Sequence, residues 1–199
     1  MSEKNSSIEM IRLGLILAIF AAVSCTVLAL VNSVTSVRIA ANKIAKANAA
    51  MKIVMADADA FEPVENFATS ENSSIKIMSV YSAKKGGKTV GAVAQINGPT
   101  YDRGTVMVGM KTDGTITGVQ FLELSDSPGF GLKANDPTFK LPNGKTFYGQ
   151  FEGKNARDGF KAGSTFDAIS GATITSVGAA ALIEEGTKSM FKFFEGGAN

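Results

Sequence analysis

A run of 25 uncharged residues, from Leu13 to Val37, is the feature that most constrains how this chain folds. As an α-helix the run would be about 37 Å long, which exceeds the roughly 30 Å hydrocarbon core of a bilayer. A buried helix of a soluble protein would have to be covered on every side, and the rest of a 199-residue chain is too small to do so.

A cleaved signal peptide is the other alternative for this run, because the basic residues Lys4 and Arg12 precede it. However, the run is longer than the usual apolar segment of a signal peptide, and no convincing A-x-A cleavage site follows it. We therefore predict an uncleaved transmembrane helix at residues 13–37, after a short N-terminal tail at residues 1–12.

The charges that flank the predicted span leave its orientation open. Arg12 precedes the span, whereas Arg38, Lys43, Lys46 and Lys52 follow it. Counted by the positive-inside rule, these charges place the C-terminal part in the cytoplasm. That rule weakens when a long domain follows a single span, and the lysines could serve a helix surface instead.

Composition excludes several kinds of chemistry. The chain has no His and one Cys, Cys25. Without His there is no Ser-His-Asp nucleophile and no imidazole base. One Cys cannot hold an iron–sulfur cluster, a Cys-rich zinc site or an internal disulfide, so no metal site is predicted. Redox chemistry in this chain would therefore need an organic cofactor, and a net charge of +2 argues against nucleic-acid binding.

Beyond the span, the pattern predicts a helical stalk and then a folded domain. Residues 38–60 are rich in Ala, with apolar residues near helical spacing. Residues 61–199 carry strand signals first, a loop-rich stretch from residue 123 to 165, and a final helix from about Ser176 to Phe194. The predicted fold class is α+β, with a mainly antiparallel sheet and flanking helices.

The clearest strand signal is a hairpin. Two β-rich runs, Thr105–Thr112 and Thr115–Leu122, flank the dipeptide Asp113-Gly114. Because Asp-Gly tolerates positive φ angles, we predict a two-residue turn between these strands.

A hydroxyl-rich turn before the last helix is the most informative segment. It reads D-A-I-S-G-A-T-I-T-S from Asp167 to Ser176. Helix N-termini leave backbone N–H groups unpaired and favour phosphate, and Gly171 and Ala172 would let a bulky ligand approach the backbone. On spacing alone a plain helix cap, made by Thr175 or Ser176, is the simpler interpretation.

Asp167 to Thr173 resembles the S/T-G-A-T flavinylation motif of the FMN-binding domain family. In that family the last Thr of the motif carries FMN through a phosphoester bond installed by a flavin transferase. By position this residue is Thr173, and Asp167 belongs to the wider motif that the transferase reads. The resemblance further implies FMN contacts from the rest of this segment: Ser170, Gly171, Ala172, Ile174, Thr175 and Ser176.

A second loop, D-S-P-G-F-G from Asp126 to Gly131, is similar to the E-T-P-G-L-G loop of the same family. Asp126, Ser127 and Phe130 depart from the family's Glu, Thr and Leu, and Phe130 could stack on a ring. Standing alone, the loop could also be a plain Pro-Gly turn. The resemblance implies that this loop forms the other wall of a shallow cofactor cleft, through Pro128, Gly129, Phe130 and Gly131.

The resemblance covers nearly the whole chain and implies a covalent flavoprotein that relays electrons. The family includes the G subunit of the Rnf electron-transport complex and the longer C subunit of the sodium-translocating NADH:quinone reductase, and the chain length favours the former. Such a subunit would work with membrane and soluble partner subunits that couple ferredoxin and NAD to sodium or proton movement. Its FMN domain would lie on the extracytoplasmic side of the inner (plasma) membrane. A non-catalytic membrane-tethered binding or assembly module is the alternative class.

Overall fold

A computed structural model describes residues 3–196 of the chain, with side chains described from Glu9 onward. The chain divides into two units, residues 1–45 and 46–199. Helix α1 (Glu3–Val54) makes up the described part of the first unit and ends within the second. Its most apolar 18-residue window has a mean hydropathy of 2.6 and none of it is buried. The helix is therefore long and apolar enough to cross a membrane.

Helix α1 ends at Val54, so the prediction that a helix runs to residue 60 is wrong by six residues. At this point the hydroxyl of Thr117 donates a hydrogen bond to the carbonyl oxygen of Val54, which satisfies one of the free carbonyls at the helix end. Met51 and Val54 are buried against the sheet. The end of the segment predicted as a stalk therefore belongs to the second unit, where residues 60–63 form a strand.

The second unit contains a five-stranded sheet in which every neighbouring pair is antiparallel. The strands follow one another in space in the order of the chain. This confirms the predicted α+β class with an antiparallel sheet. The strands are β1 (Ala60–Pro63), β2 (Lys76–Lys85), β3 (Lys88–Gly98), β4 (Gly104–Lys111) and β5 (Ile116–Leu124).

The sheet is covered on both faces. The end of α1 packs on one face, where Val93, Met107 and Leu122 point. Helix α2 (Thr173–Glu195) packs on the other face, against side chains such as Ile96 and Val108. Seven of the eight residues of β4 are buried, as expected for a strand that is covered on two sides.

The β4–β5 hairpin forms where predicted, but its turn is different. The amide of Lys111 donates to the carbonyl oxygen of Thr115 at 2.9 Å, so three residues form the loop rather than two. Only Gly114 has a positive φ, of 93°, and the Asp113 carboxylate instead accepts a hydrogen bond from the Thr115 amide at 2.8 Å. A three-residue loop with Gly in the left-handed region is the next most common hairpin type.

The stretch between β5 and α2 contains three short 3₁₀ helices, Gly131–Asn135, Tyr148–Gln150 and Ala156–Asp158. A cluster of aromatic rings holds it to the domain: Phe147 and Phe151 are fully buried and both contact Phe166, with ring centroids 6.3 and 5.5 Å apart. Helix α2 then begins at Thr173, three residues before the predicted start. The hydroxyl-rich T-I-T-S segment is therefore the first turn of this helix.

Candidate functional site

An open cleft of about 450 Å³ lies where the start of α2 meets two loops. The first loop follows β3 and contains Tyr101, and the second follows β5 and contains Phe130. The cleft is lined by Tyr101, Ser127, Phe130, Gly131, Gly171, Ala172, Thr173, Ile174 and Thr175. The two segments that the sequence singled out therefore meet in one cavity.

Within the described residues, no side chain caps the N-terminus of α2. The residue before the helix is Ala172, whose side chain cannot accept a hydrogen bond, and the first turn carries no acidic residue. The first hydrogen bond of the helix runs from the Ser176 amide to the Ala172 carbonyl oxygen, at 3.0 Å. The preceding amides point out of the helix, so this end offers N–H donors and a partial positive charge to an anion.

The cap alternative for the hydroxyl-rich turn is therefore wrong, because Thr175 and Ser176 are used otherwise. The Ser176 hydroxyl accepts a hydrogen bond from the Ile169 amide and donates one to the Ala172 carbonyl oxygen, both at 2.9 Å. The Thr175 hydroxyl lies beside the carboxylate of Asp126, since a Cβ built on Gly131 would be 2.6 Å from the Thr175 Oγ1 and 2.9 Å from Asp126 Oδ2. Both side chains are almost fully buried, at 1% and 0% exposed, and they fasten the turn and the second loop to α2.

Exposure separates the four hydroxyls of this segment. Ser170 and Thr173 are exposed, whereas Thr175 and Ser176 are buried. Of the two exposed residues, only Thr173 lines the cleft. Thr173 is thus the one hydroxyl of the segment that is both accessible and inside the cavity.

The rim of the cleft is apolar. Tyr101, Phe130 and Ile174 are 65%, 58% and 62% exposed, which is unusual for large apolar side chains that are close together. Phe130 lies next to Gly171, since a Cβ built on this glycine would be 3.4 Å from the Phe130 Cδ1 atom. Gly171 has a φ of 78°, so a side chain at this position would strain the backbone.

A buried carboxylate lies beneath the cleft. Asp126 is 5% exposed and its Oδ1 accepts hydrogen bonds from the Thr100 hydroxyl at 2.7 Å and the Asp102 amide at 2.9 Å. Its Oδ2 accepts one from the Tyr101 amide at 3.3 Å. Burial raises the pKa of Asp126, but the hydrogen bonds from Thr175 and from this first loop outweigh it and hold the pKa below its ordinary value.

Asp167 lies at the other end of the segment, outside the cleft. The buried side chain of Gln150 pairs with its backbone: Oε1 accepts from the Asp167 amide at 2.7 Å, and Nε2 donates to its carbonyl oxygen at 3.1 Å. The Asp167 carboxylate is exposed and accepts a hydrogen bond from Asn143 Nδ2 at 2.8 Å. This carboxylate is therefore presented at the surface on a fixed backbone.

The predicted site residues thus separate into groups. Seven line the cleft: Phe130, Gly131, Gly171, Ala172, Thr173, Ile174 and Thr175. The others do not line it: Pro128 and Gly129 are exposed beside it, Ser170 faces solvent, Ser176 is buried behind it, and Asp167 is on a neighbouring surface. The sequence did not assign Tyr101, Ser127 or Asp126 to the site. Ser127 belongs to the second loop that the sequence singled out, whereas the hydrogen bonds of Asp126 arise only in the folded chain.

The residues of the cleft fit FMN in kind and in size. The volume of the cleft lies within the range of about 300–1,000 Å³ that is usual for small-molecule sites. Exposed apolar side chains suit a flat ring system, and the uncapped helix N-terminus suits a phosphate group.

Comparison with known proteins gives the same result. The FMN-binding domain family matches residues 101–188, and the RnfG N-terminal region matches residues 1–54. The chain is 31% identical over 183 residues to the G subunit of the Na⁺-translocating ferredoxin:NAD⁺ oxidoreductase complex of Acetobacterium woodii, a match that covers 83% of this chain and 84% of that protein.

Two further relatives are named as G subunits of ion-translocating oxidoreductase complexes. The protein of Methanosarcina acetivorans is 28% identical over 86% of this chain and 89% of its own length. The protein of Cereibacter sphaeroides is 28% identical over 87% of this chain and 80% of its own length. With matching domains at both ends and relatives that align over most of its length, the chain belongs to the family of Rnf complex G subunits, which carry an FMN-binding domain.

Proposed function

We propose that this chain is a membrane-anchored electron carrier whose FMN is attached through a phosphoester to the hydroxyl of Thr173. In this role it relays electrons inside a multi-subunit complex that couples ferredoxin and NAD redox chemistry to sodium or proton movement. The names of the relatives support the redox couple and the ion translocation.

The observation that carries this proposal is the position of Thr173. Its hydroxyl is exposed, it lines the cleft, and it belongs to the first turn of a helix whose N-terminus has no side-chain cap within the described residues. An ester at this oxygen would place the phosphate beside the free amides of the same turn, where the helix dipole favours negative charge.

Bound FMN supplies the ability to exchange one or two electrons. The chain's own residues then have binding and positioning roles. Gly171 and Ala172 leave room for the cofactor next to the backbone, while Tyr101, Phe130 and Ile174 cover apolar parts of it. Ser176 and Thr175 keep the first turn and the loops together. No residue of the cleft is required as a general acid or base for electron transfer.

Membrane attachment follows from α1, and the proposal places the FMN domain on the extracytoplasmic side of the inner membrane. A covalent bond prevents loss of the cofactor into that compartment. Maturation requires a flavin transferase, and the exposed Asp167 carboxylate is a surface that such an enzyme could read. Other membrane and soluble subunits would donate and accept the electrons.

The direct test is to co-express the full chain with a flavin transferase and to look for flavin fluorescence in a denaturing gel. We expect a fluorescent band for the wild type and for Ser164→Ala, a nearby exposed hydroxyl, and no fluorescence for Thr173→Ala. A fluorescent Thr173→Ala band would refute the assignment of this residue. A dark wild-type band would favour a membrane-tethered module without covalent cofactor.

A further inference from the structure

Three segments of the domain meet at the carboxylate of Asp126. The turn after β3 contributes three hydrogen-bond donors, the Thr100 hydroxyl and the amides of Tyr101 and Asp102. Helix α2 places the Thr175 hydroxyl beside the carboxylate. The carboxylate belongs to the third segment, the loop after β5. Two of these residues, Tyr101 and Thr175, also line the cleft.

The packing around Asp126 leaves no room between it and the wall of the cleft. A Cβ built on Gly131 would be 2.6 Å from both the Asp126 Cβ and the Thr175 Oγ1, and 2.9 Å from Asp126 Oδ2. Gly131 lines the cleft, so the carboxylate lies directly behind a cavity wall that has no side chain of its own.

Asp126 is also a fixed negative charge. Three donors from the protein, one hydroxyl and two backbone amides, surround its two oxygens, and hydrogen bonds to the ionised form of a carboxylate keep it ionised. Because the group is 5% exposed, water and salt screen its field much less than they would screen a surface carboxylate.

We propose that Asp126 is a positioning residue that sets the reduction potential of a flavin in this cleft, and that its buried negative charge lowers this potential. The inference rests on the proposed function. Each electron that enters the ring without a proton adds negative charge to the cofactor, and a nearby fixed carboxylate opposes that addition. The partial positive charge at the N-terminus of α2 acts in the opposite direction, so Asp126 limits how strongly the helix favours the reduced cofactor.

The test is a reductive titration of the purified flavin-loaded chain in detergent, with dithionite as the electron source and mediator dyes. The midpoint potential is measured for the wild type, Asp126→Asn, Asp126→Glu and Asp102→Asn. We expect Asp126→Asn to shift the midpoint to a more positive value, beyond the spread of replicate titrations. Asp126→Glu keeps the charge and should stay near the wild type. Asp102→Asn removes an exposed charge from the same turn and should shift the potential much less.

A flavin-loaded Asp126→Asn chain with the wild-type potential, or an equal shift in Asp102→Asn, would overturn the inference. If Asp126→Asn does not fold, Thr100→Val decides, since this near-isosteric change removes the hydroxyl that donates to Asp126 Oδ1 at 2.7 Å and leaves the charge in place. We expect a more negative midpoint for Thr100→Val, and an unchanged or more positive one would overturn the inference. A wild-type chain without covalent flavin would instead overturn the proposed function, and this inference with it.

Discussion

The buried side-chain amide of Gln150 pairs with both backbone polar groups of Asp167, at 2.7 Å to the amide nitrogen and 3.1 Å to the carbonyl oxygen. Gln150 is 3% exposed and also donates to the Phe147 carbonyl oxygen at 3.0 Å. One side chain thus ties the beginning of the segment that precedes α2 to the aromatic cluster of the preceding loop.

Replacing Gln150 by Leu should destabilise the second unit by about 1–3 kcal/mol, because the Asp167 backbone would lose its partners in a buried place. Urea unfolding of the full chain in detergent, followed by tyrosine fluorescence, measures this. All three tyrosines lie in residues 46–199, so the signal reports on that unit. Lys145→Ala, on the exposed part of the same loop, should stay within about 0.5 kcal/mol. Equal losses in both variants would contradict the role of Gln150.

Gly131→Ala should disrupt the packing of the second loop, which contains Asp126, against α2, which contains Thr175. The added methyl group would meet Asp126 and Thr175 at 2.6 Å, and such overpacking costs about 1–3 kcal/mol. We expect a lower urea midpoint and a smaller amount of covalent flavin per chain. Gly144→Ala is the control, since Gly144 has a φ of 80° with open space around it and lies in another loop. Gly144→Ala should lower the urea midpoint only through strain in its own backbone, and the amount of covalent flavin per chain should stay unchanged. A fully flavinylated and stable Gly131→Ala chain would disprove the tight contact.

Lowering the pH should reduce the free energy of unfolding of the domain, partly because Asp126 becomes protonated. Its folded-state pKa is lower than its ordinary value of 3.8, so its contribution to stability is present above that value and is lost as the pH falls through the folded pKa. Asp126→Asn should therefore be less stable than the wild type at neutral pH, and the difference should shrink in acid. Urea midpoints at several pH values measure it. A difference that stays constant down to the acid limit would rule out this linkage.

The orientation of α1 can be tested by labelling introduced cysteines on intact cells. In a Cys25→Ser background, Lys85→Cys places a single thiol at the exposed end of β2. We expect a membrane-impermeant maleimide to label it without lysis, and to label Ser7→Cys, on the other side of the span, only after lysis. The reverse pattern would place the FMN-binding domain in the cytoplasm, as the count of flanking charges suggests.

Local patterns were sufficient to predict much of this fold. The uncharged run, the Asp113-Gly114 hairpin and the final helix are all carried by short-range sequence signals. The family motif also singled out two segments that the fold brings together in one cleft.

What the sequence did not reveal depends on contacts between distant segments. The Ala-rich helix stops at Val54, where the hydroxyl of Thr117, far along the chain, donates a hydrogen bond to the Val54 carbonyl oxygen. Strand β1 is short and becomes a strand only through its pairing with β2. Likewise, Thr175 and Ser176 look like caps in the sequence, but in the fold the Ser176 hydroxyl accepts a hydrogen bond from the Ile169 amide and the buried Thr175 hydroxyl lies beside Asp126.

The attachment site of the cofactor is the central claim, and peptide mass spectrometry tests it most directly. Trypsin cleavage after Lys161 and Lys188 releases a peptide that contains Ser170, Thr173, Thr175 and Ser176 together. In a chain co-expressed with a flavin transferase, we predict that this peptide gains the mass of FMN less one water, and that fragment ions place the gain on Thr173. A gain on Ser170 or Thr175, or a peptide of unmodified mass, would contradict the account.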